Sequence, residues 1–296
     1  MTAIETNGLT KRFGDLVAVD DLDMAVAEGE VFGFLGPNGA GKSTTINMLL
    51  GFLEPTDGHA TVLGHDVAGE SLTVRDRIGV LPEGFTPYDR LTAREHVEYA
   101  GGLKECDPDV EGLLDRVGLQ AEAWDRKAGE YSKGMCQRLA LATALVGDPD
   151  VLILDEPSSG LDPEGMGEMR DLIREEADSG TTVFFSSHLL SEVEAVCDRV
   201  AILSDGELAA IGTLDELRAG TPGGELVARA DLRAGRAGAD PGRPLGAAVA
   251  LLGRAGLALA AVVDHAVAVV VEAVAALVVR RRLEAAAAAV RHAFVG

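Results

Sequence analysis

The sequence predicts an α/β fold, a largely parallel sheet with helices packed on it, a β-rich N-terminal part and an inserted helical segment. Three observations carry this. Val151-Leu152-Ile153-Leu154 and Thr181-Thr182-Val183-Phe184-Phe185 are runs without polar alternation, the pattern of strands buried on both faces of a parallel sheet. Val31-Phe32-Gly33-Phe34-Leu35 is a further apolar run, and it leads into a glycine-rich turn and then a helical stretch, Thr45 to Leu50. Beyond that turn, strand-like and helix-like stretches alternate along the chain.

The turn itself is Gly36-Pro37-Asn38-Gly39-Ala40-Gly41-Lys42-Ser43-Thr44. A strand, this spacing of Gly36, Gly41, Lys42 and Ser43, and a helix make up the phosphate-binding P-loop. Successive backbone N–H groups point into one concavity there, and the helix N-terminus adds partial positive charge. Gly39 and Gly41 lack a Cβ, so the backbone can curl tightly. Lys42 is placed to reach the β/γ-phosphates, and the Ser43 hydroxyl to complete a Mg²⁺ shell.

The elements follow in order. Residues 3–32 alternate and turn like short strands, with Gly14-Asp15 and Glu28-Gly29 at turns. Phe13, at a strand end, either packs in the hairpin or stacks on a base bound at the P-loop; position alone favours packing. His59 to Leu63 and Arg77 to Leu81 read as strands, and from Leu91 to Val146 the pattern is helical. Thr92-Ala93-Arg94-Glu95 is a capping box, Asp107-Pro108 an N-cap followed by a first-turn proline, and Gly118 a helix stop. Ser132 precedes a helix from Met135 to Val146, which ends at Gly147. After the strand at Val151, Asp162-Pro163 caps a helix running to about Asp178. The buried strand from Thr181 and a helix from Leu189 to Cys197 come next. Ser204-Asp205-Gly206-Glu207 joins two short strands as a hairpin, and Thr213-Leu214-Asp215-Glu216 caps a last helix.

Across 296 residues there are 48 Asp and Glu against 26 Lys and Arg. That balance argues against a nucleic-acid partner, which calls for a positive stripe. Only five of the basic residues are Lys, and many acids with few lysines is a composition suited to concentrated salt, where screening removes self-repulsion. Cys106, Cys136 and Cys197 are odd in number and widely spaced, with neither a disulfide framework nor a zinc spacing, which suggests a reducing compartment. The N-terminal MTAIETNGLTKRFG has no apolar signal core, so a cytoplasmic location is expected.

From Gly223 the composition changes. The last 74 residues hold six acids and nine arginines and use ten residue types, whereas the preceding 222 carry a net −25. A small accessory domain, with strand-like Ala266 to Val271 and a helix from about Leu283, is one reading. An out-of-frame translation of a GC-rich gene, giving a low-complexity peptide, is the other, and the narrow composition favours it. The apolar stretch from Ala255 to Val279 is broken by Asp264, His265 and Glu272, which argues against a membrane span.

Two acids end the strand at Val151. Asp155 is placed to hold the Mg²⁺ shell, the Walker-B role, and Glu156 to act as general base on an attacking water. His188 follows the next strand, at the carboxyl edge of the sheet, where open α/β folds bind ligands.

On these residues the chain resembles the nucleotide-binding subunit of an ATP-binding cassette (ABC) transporter, over roughly residues 4–220 with a helical subdomain at about 85–147. The most specific motif is Tyr131-Ser132-Lys133-Gly134-Met135, similar to the LSGGQ signature. Ser132 and Gly134 match, while Tyr131, Lys133 and Met135 depart, in a form that resembles exporter-type subunits with a separately encoded permease. Ser159-Gly160-Leu161-Asp162 resembles the D-loop, His188 the switch histidine, and Phe13 the aromatic that stacks on adenine. Glu83 stands where the family usually has the Q-loop glutamine. A carboxylate there could meet Mg²⁺ but adds negative charge beside the γ-phosphate, so either coupling is tuned differently or the side chain points away. The resemblance implies ATP and Mg²⁺ as ligands and a second copy of the chain whose Ser132 end seals the γ-phosphate in trans. It also implies a membrane permease docked near Phe85, Pro87 and Tyr88, and a peripheral position on the inner face of the cell membrane. The alternatives are a soluble, non-transport ABC ATPase and a nucleotide-binding regulator without turnover.

The acidic balance generates one prediction. The urea midpoint of unfolding rises from low to molar salt; a stability maximum at low ionic strength overturns the salt-adapted reading.

Overall fold

A computed structural model describes residues 1–219. The readings made for the tail after residue 222 lie outside the described residues. The N-terminal hairpin pairs β1 (Thr2–Phe13) with β2 (Leu16–Ala27), and its turn sits at Gly14, whose φ is +58°. β3 (Val31–Leu35) is buried at every position. It feeds the glycine-rich turn and α1 (Lys42–Leu49). β4 (Asp57–Val62) and the two-residue β5 (His65–Asp66) return to the hairpin and complete an antiparallel sheet of order β2-β1-β4-β5.

α2 (Ser71–Arg77) and β6 (Ile78–Leu81) come next. Three helices then follow before the chain re-enters the sheet. They are α3 (Ala93–Leu103), α4 (Val110–Arg116) and α5 (Lys133–Ala144). β7 (Val151–Asp155), α6 (Pro163–Asp178), β8 (Thr182–Ser187) and α7 (Leu190–Val196) alternate, and β9 (Arg199–Ser204), β10 (Glu207–Thr213) and α8 (Leu214–Ala219) close the described chain. The second sheet has the order β10-β9-β3-β8-β7-β6, parallel throughout except for the β9–β10 hairpin.

The apolar runs behave as continuous hydrophobic strands should. β3, β7 and β8 are buried from end to end, and Phe32 and Phe34 lie 5.9 and 5.0 Å from the Phe184 ring across the β3–β8 pair. Two strand glycines let helices approach. A Cβ on Gly79 in β6 would meet the Ala144 carbonyl at the end of α5 at 2.1 Å, and one on Gly33 in β3 would meet Val193 and Cys197 beside α7 at 2.7 and 2.9 Å. Cys197 is sealed there, and burial pushes its thiol well above its ordinary value.

Caps decide the helix starts. Thr92 and Glu95 form the expected reciprocal capping box, Asp162 accepts from Gly165 N ahead of Pro163, and Thr213 and Glu216 cap α8. One start differs from expectation. α4 is capped by Asp109, which accepts from Gly112 N, and not by Asp107. The helix begins at Val110, so Asp109 holds the position immediately before it and reaches the amide of the third helical residue, while Asp107 lies two residues further out. α2 has no counterpart in the sequence reading, because it buries only Val74 and shows no apolar period. Its last residue is Arg77, assigned to the following strand from the sequence. Pro87, expected on a docking surface, is buried, while Tyr88 beside it is exposed.

The inserted helices are tied to the core by charge. Arg116 at the end of α4 donates through Nε and one terminal nitrogen to both oxygens of Glu176 on α6, and Glu176 is 2% exposed. Burial pushes the Glu176 carboxyl above its ordinary range, and Arg116 pulls it part of the way back.

Three variants test the packing. Gly79→Ala forces α5 from β6 and lowers stability by about 1–3 kcal/mol. Gly102→Ala, in open space on α3, leaves stability unchanged or raises it by up to about 1 kcal/mol; denaturant midpoints measure both. Arg116→Met strips Glu176 of its partner. Because the folded carboxyl already holds its proton more tightly than the unfolded one, the ionised form destabilises the fold. The loss is therefore about 1–3 kcal/mol at neutral pH and shrinks as pH falls into the mildly acidic range, which melts recorded against pH will show.

Candidate active site

A cavity of about 560 Å³ lies against the glycine-rich turn. Its wall holds Phe13, Lys42, Ser43, Glu83, Glu156 and Asp205, among others. Three strand ends meet beside it, and of the groups they carry the glycine-rich turn and Glu156 line its wall while Asp155 and His188 do not. β3 delivers the turn; the parallel neighbours β8 and β7 deliver His188 and the two acids, Asp155 and Glu156. The register sets Leu35 beside Ser187 and Asp155 beside Ser186, so all three groups leave the sheet at one edge.

The turn forms an open cradle. Gly39 and Gly41 have φ of +86° and +103°, the left-handed region that glycine alone enters freely. Nothing lies within 4 Å of a Cβ built on Gly39. Gly41 has a second reason to lack a side chain, since a Cβ there would meet the Ala18 carbonyl of β2 at 2.6 Å. The amides of Lys42, Ser43 and Thr44 open α1 and have no intrahelical acceptor. Ala40 accepts from Gly206 N, and Gly206 O accepts from Asp20 N, so the β9–β10 turn and β2 brace the cradle from outside.

Lys42 is 5% exposed; its Nζ donates to the Gly36 carbonyl at 2.7 Å and lies 3.2 Å from Glu156 Oε1. That contact falls outside hydrogen-bonding geometry, so Oε1 is a buried carboxylate oxygen with an ionic partner but no hydrogen bond. The other oxygen, Oε2, lies 2.7 Å from His188 Nδ1. Glu156 also has φ of +52°, a left-handed conformation for a non-glycine residue. Strain of this kind persists only where neighbours hold it. Asp155, 6% exposed, accepts from Ser186 Oγ through Oδ1.

These residues fit a divalent cation with a triphosphate. The hydroxyl of Ser43 and the carboxylate of Asp155 are hard oxygen donors of the kind Mg²⁺ takes one or two of, the cradle amides suit phosphate oxygens, and the unbonded Glu156 oxygen awaits a donor. Ser43 and Glu83 are both exposed at the cavity wall. Phe13 stands at the rim, 48% exposed, with Lys11 Nζ 5.4 Å from its ring centroid, so its face is available for stacking rather than committed to a core.

Ser132, Lys133, Gly134 and Met135 do not line this cavity. Ser132 is the exposed N-cap of α5 and accepts from Met135 N at 3.3 Å. It lies next to Ser159-Gly160-Leu161-Asp162 instead. Lys133 runs over Gly160, and Leu161 is the nearest neighbour of a Cβ built on Gly134. Ser159 N and Leu161 N donate to Glu156 O and Ser158 O, so the segment folds straight out of the acidic strand end. Residues the motifs do not reveal complete the cavity: Leu16, Val17 and Ala18 from β2, and Asp205 from the β9–β10 turn. The hairpin signal at Ser204 to Glu207 marked the turn but not where it points.

A parallel sheet ending in this cradle, two acids and a histidine defines a P-loop nucleotide-hydrolase fold. The ABC transporter family model matches residues 19–159. An uncharacterized ABC transporter ATP-binding protein of Nostoc is 46% identical over 208 residues, 68% of this chain and 62% of the relative. The daunorubicin/doxorubicin resistance ATP-binding protein DrrA of Streptomyces peucetius is 43% identical over 222 residues, 73% of this chain and 67% of the relative. A bacterial ABC transporter cassette solved as a dimer superposes with a TM-score of 0.65 at 27% identity, over 71% of this chain and 98% of that one. The chain belongs to the ATP-binding proteins of ABC transporters. Its match spans a little under two thirds of the Nostoc relative's length.

Proposed function

We propose that the chain is the ATP-binding and ATP-hydrolysing subunit of an ABC transporter, driving a separately encoded membrane permease through ATP-dependent pairing of two copies. The observation that carries this is the Glu156 carboxylate, buried in the cavity wall between Lys42 and His188 with one oxygen unbonded. Export is the direction favoured by the resistance function in the name of the Streptomyces relative. A soluble non-transport ATPase or a nucleotide-binding regulator gains no support, since the relatives bear transporter names. Among the described residues no helix is long and apolar enough to cross a membrane, so the permease is a different segment or chain, and the ATPase sits peripherally on it.

The roles follow from position. Lys42 exchanges its Gly36 and Glu156 contacts for the β/γ-phosphate oxygens, and the free amides at the start of α1 cradle the same group. Ser43 and Asp155 would hold Mg²⁺, with Glu83 at the cavity edge as a further oxygen donor; bound there, the ion neutralises charge on the phosphate oxygens. Glu156 Oε1 accepts a proton from the attacking water, and His188 fixes the carboxylate through Oε2. Phe13 stacks on the base. The Ser132 end of α5, with Lys133, Gly134 and Met135, does not line its own cavity. It serves the γ-phosphate of a second copy, where the helix N-terminus favours an anion. Ser159 to Asp162 links that end to Glu156 within one chain, so pairing is communicated to the base.

Lys42→Ala lowers turnover at least about a hundredfold; an unchanged ATPase rate removes the phosphate-site assignment. Glu156→Gln lowers turnover by about 10²–10⁴-fold while ATP still pairs two copies, seen as a shift to dimer in size-exclusion chromatography with Mg²⁺ and ATP. A variant that hydrolyses at the wild-type rate places the base elsewhere.

A further inference from the structure

We propose that Ser186 is a positioning residue that locks the two acids of the site into their working arrangement. The inference deepens the ATP-hydrolysis reading and rests on it. Ser186 is fully buried in β8 and is the register partner of Asp155 in β7. Its Oγ lies 2.5 Å from Asp155 Oδ1 and 3.1 Å from Glu156 N. An amide only donates, an ionised carboxylate only accepts, and a hydroxyl has one proton to give. The direction of the chain is therefore fixed: Glu156 N–H donates to Ser186 Oγ, and Ser186 O–H donates to Asp155 Oδ1.

Two consequences bear on the site. Asp155 has Oδ1 committed, which sets the rotation of the carboxylate and leaves Oδ2 for the metal shell. The Glu156 amide is shared between Ser186 Oγ and the Ser186 carbonyl, at 3.1 and 3.2 Å. That three-centre bond sits at the residue with φ of +52°. One hydroxyl thus holds both the metal-binding acid and the strained backbone of the proton acceptor. Ser187, the next residue and equally buried, does neither. It donates to Glu192 and accepts from Leu189 N, which ties it to the start of α7.

The experiment uses the full chain and compares Ser186→Ala, Ser186→Thr and Ser187→Ala. The first readout is the Mg²⁺ concentration for half-maximal ATPase; the second is hydrogen exchange of the Glu156 amide without nucleotide. Ser186→Ala raises the Mg²⁺ requirement about tenfold, the usual effect of removing an outer-shell partner. It lowers kcat with KM for ATP within about twofold, and it speeds exchange at Glu156. Ser186→Thr, which keeps the hydroxyl, restores the Mg²⁺ requirement; Ser187→Ala leaves that requirement at the wild-type value. If Ser186→Ala does not fold, Ser186→Cys, similar in size but a weak donor, takes its place with the same expectation. A Ser186→Ala variant, or Ser186→Cys in its place, with wild-type Mg²⁺ dependence and wild-type exchange at Glu156 overturns the proposal. A wild-type protein without Mg²⁺-dependent ATPase overturns the function reading instead, and exchange at Glu156 then decides the role of Ser186 alone.

Discussion

The site depends on the parallel pairing of β3, β8 and β7 in fixed register. Parallel strands point their carboxyl ends the same way, so the cradle after β3, the histidine after β8 and the acids ending β7 emerge side by side. A slip of one residue in a strand with period-two side chains would turn every group to the opposite face. Complete burial of all three strands prevents that slip, because the flanking helices pack on both faces. The unbroken hydrophobicity of these runs is thus what aligns three groups drawn from residues 36–44, 155–156 and 188.

Within this frame the site is held in a poised condition. Lys42 is buried against Glu156 and the Gly36 carbonyl. A buried ion pair gives little net stability, since desolvation offsets most of the Coulomb attraction. In the function proposed above, a triphosphate displaces the Lys42 contact at small cost and leaves the Glu156 carboxylate free for the attacking water. The left-handed backbone at Glu156 turns the chain sharply from β7 into the segment from Ser159 to Asp162, which touches the start of α5. The left-handed Glu156 and the segment that touches the start of α5 thus lie within seven residues of one another, 156–162.

Much of this was legible in the sequence, for a physical reason. The P-loop, the capping boxes at Thr92 and Thr213, the Asp162-Pro163 start and the apolar strands are all local: spacing and side-chain chemistry within about ten residues determine them. What escaped was either weakly patterned or long-range. α2 has one buried residue and no period to detect. Asp107 ahead of Pro108 carries the local cap signal, yet the helix starts at Val110 and Asp109 caps it. Pro87 reads as a surface residue beside Tyr88 until the fold buries it. Asp205 reaches the cavity and Ser186 reaches Asp155 only because turns and strands distant in sequence are brought together, which no spacing rule records.

The close seat of α7 on β3 has a practical consequence. Gly33 leaves the space that Cys197 fills, and the thiol is both sealed from solvent and deprived of thiolate character. Cys106 is partly accessible and will take up alkylating reagents in the native protein; Cys136, whose thiol burial also pushes up, takes them up more slowly, and Cys197 reacts only when the helix lifts from the strand. The chain therefore carries its own chemical clock for opening of the sheet, read by counting labels after a short pulse of iodoacetamide.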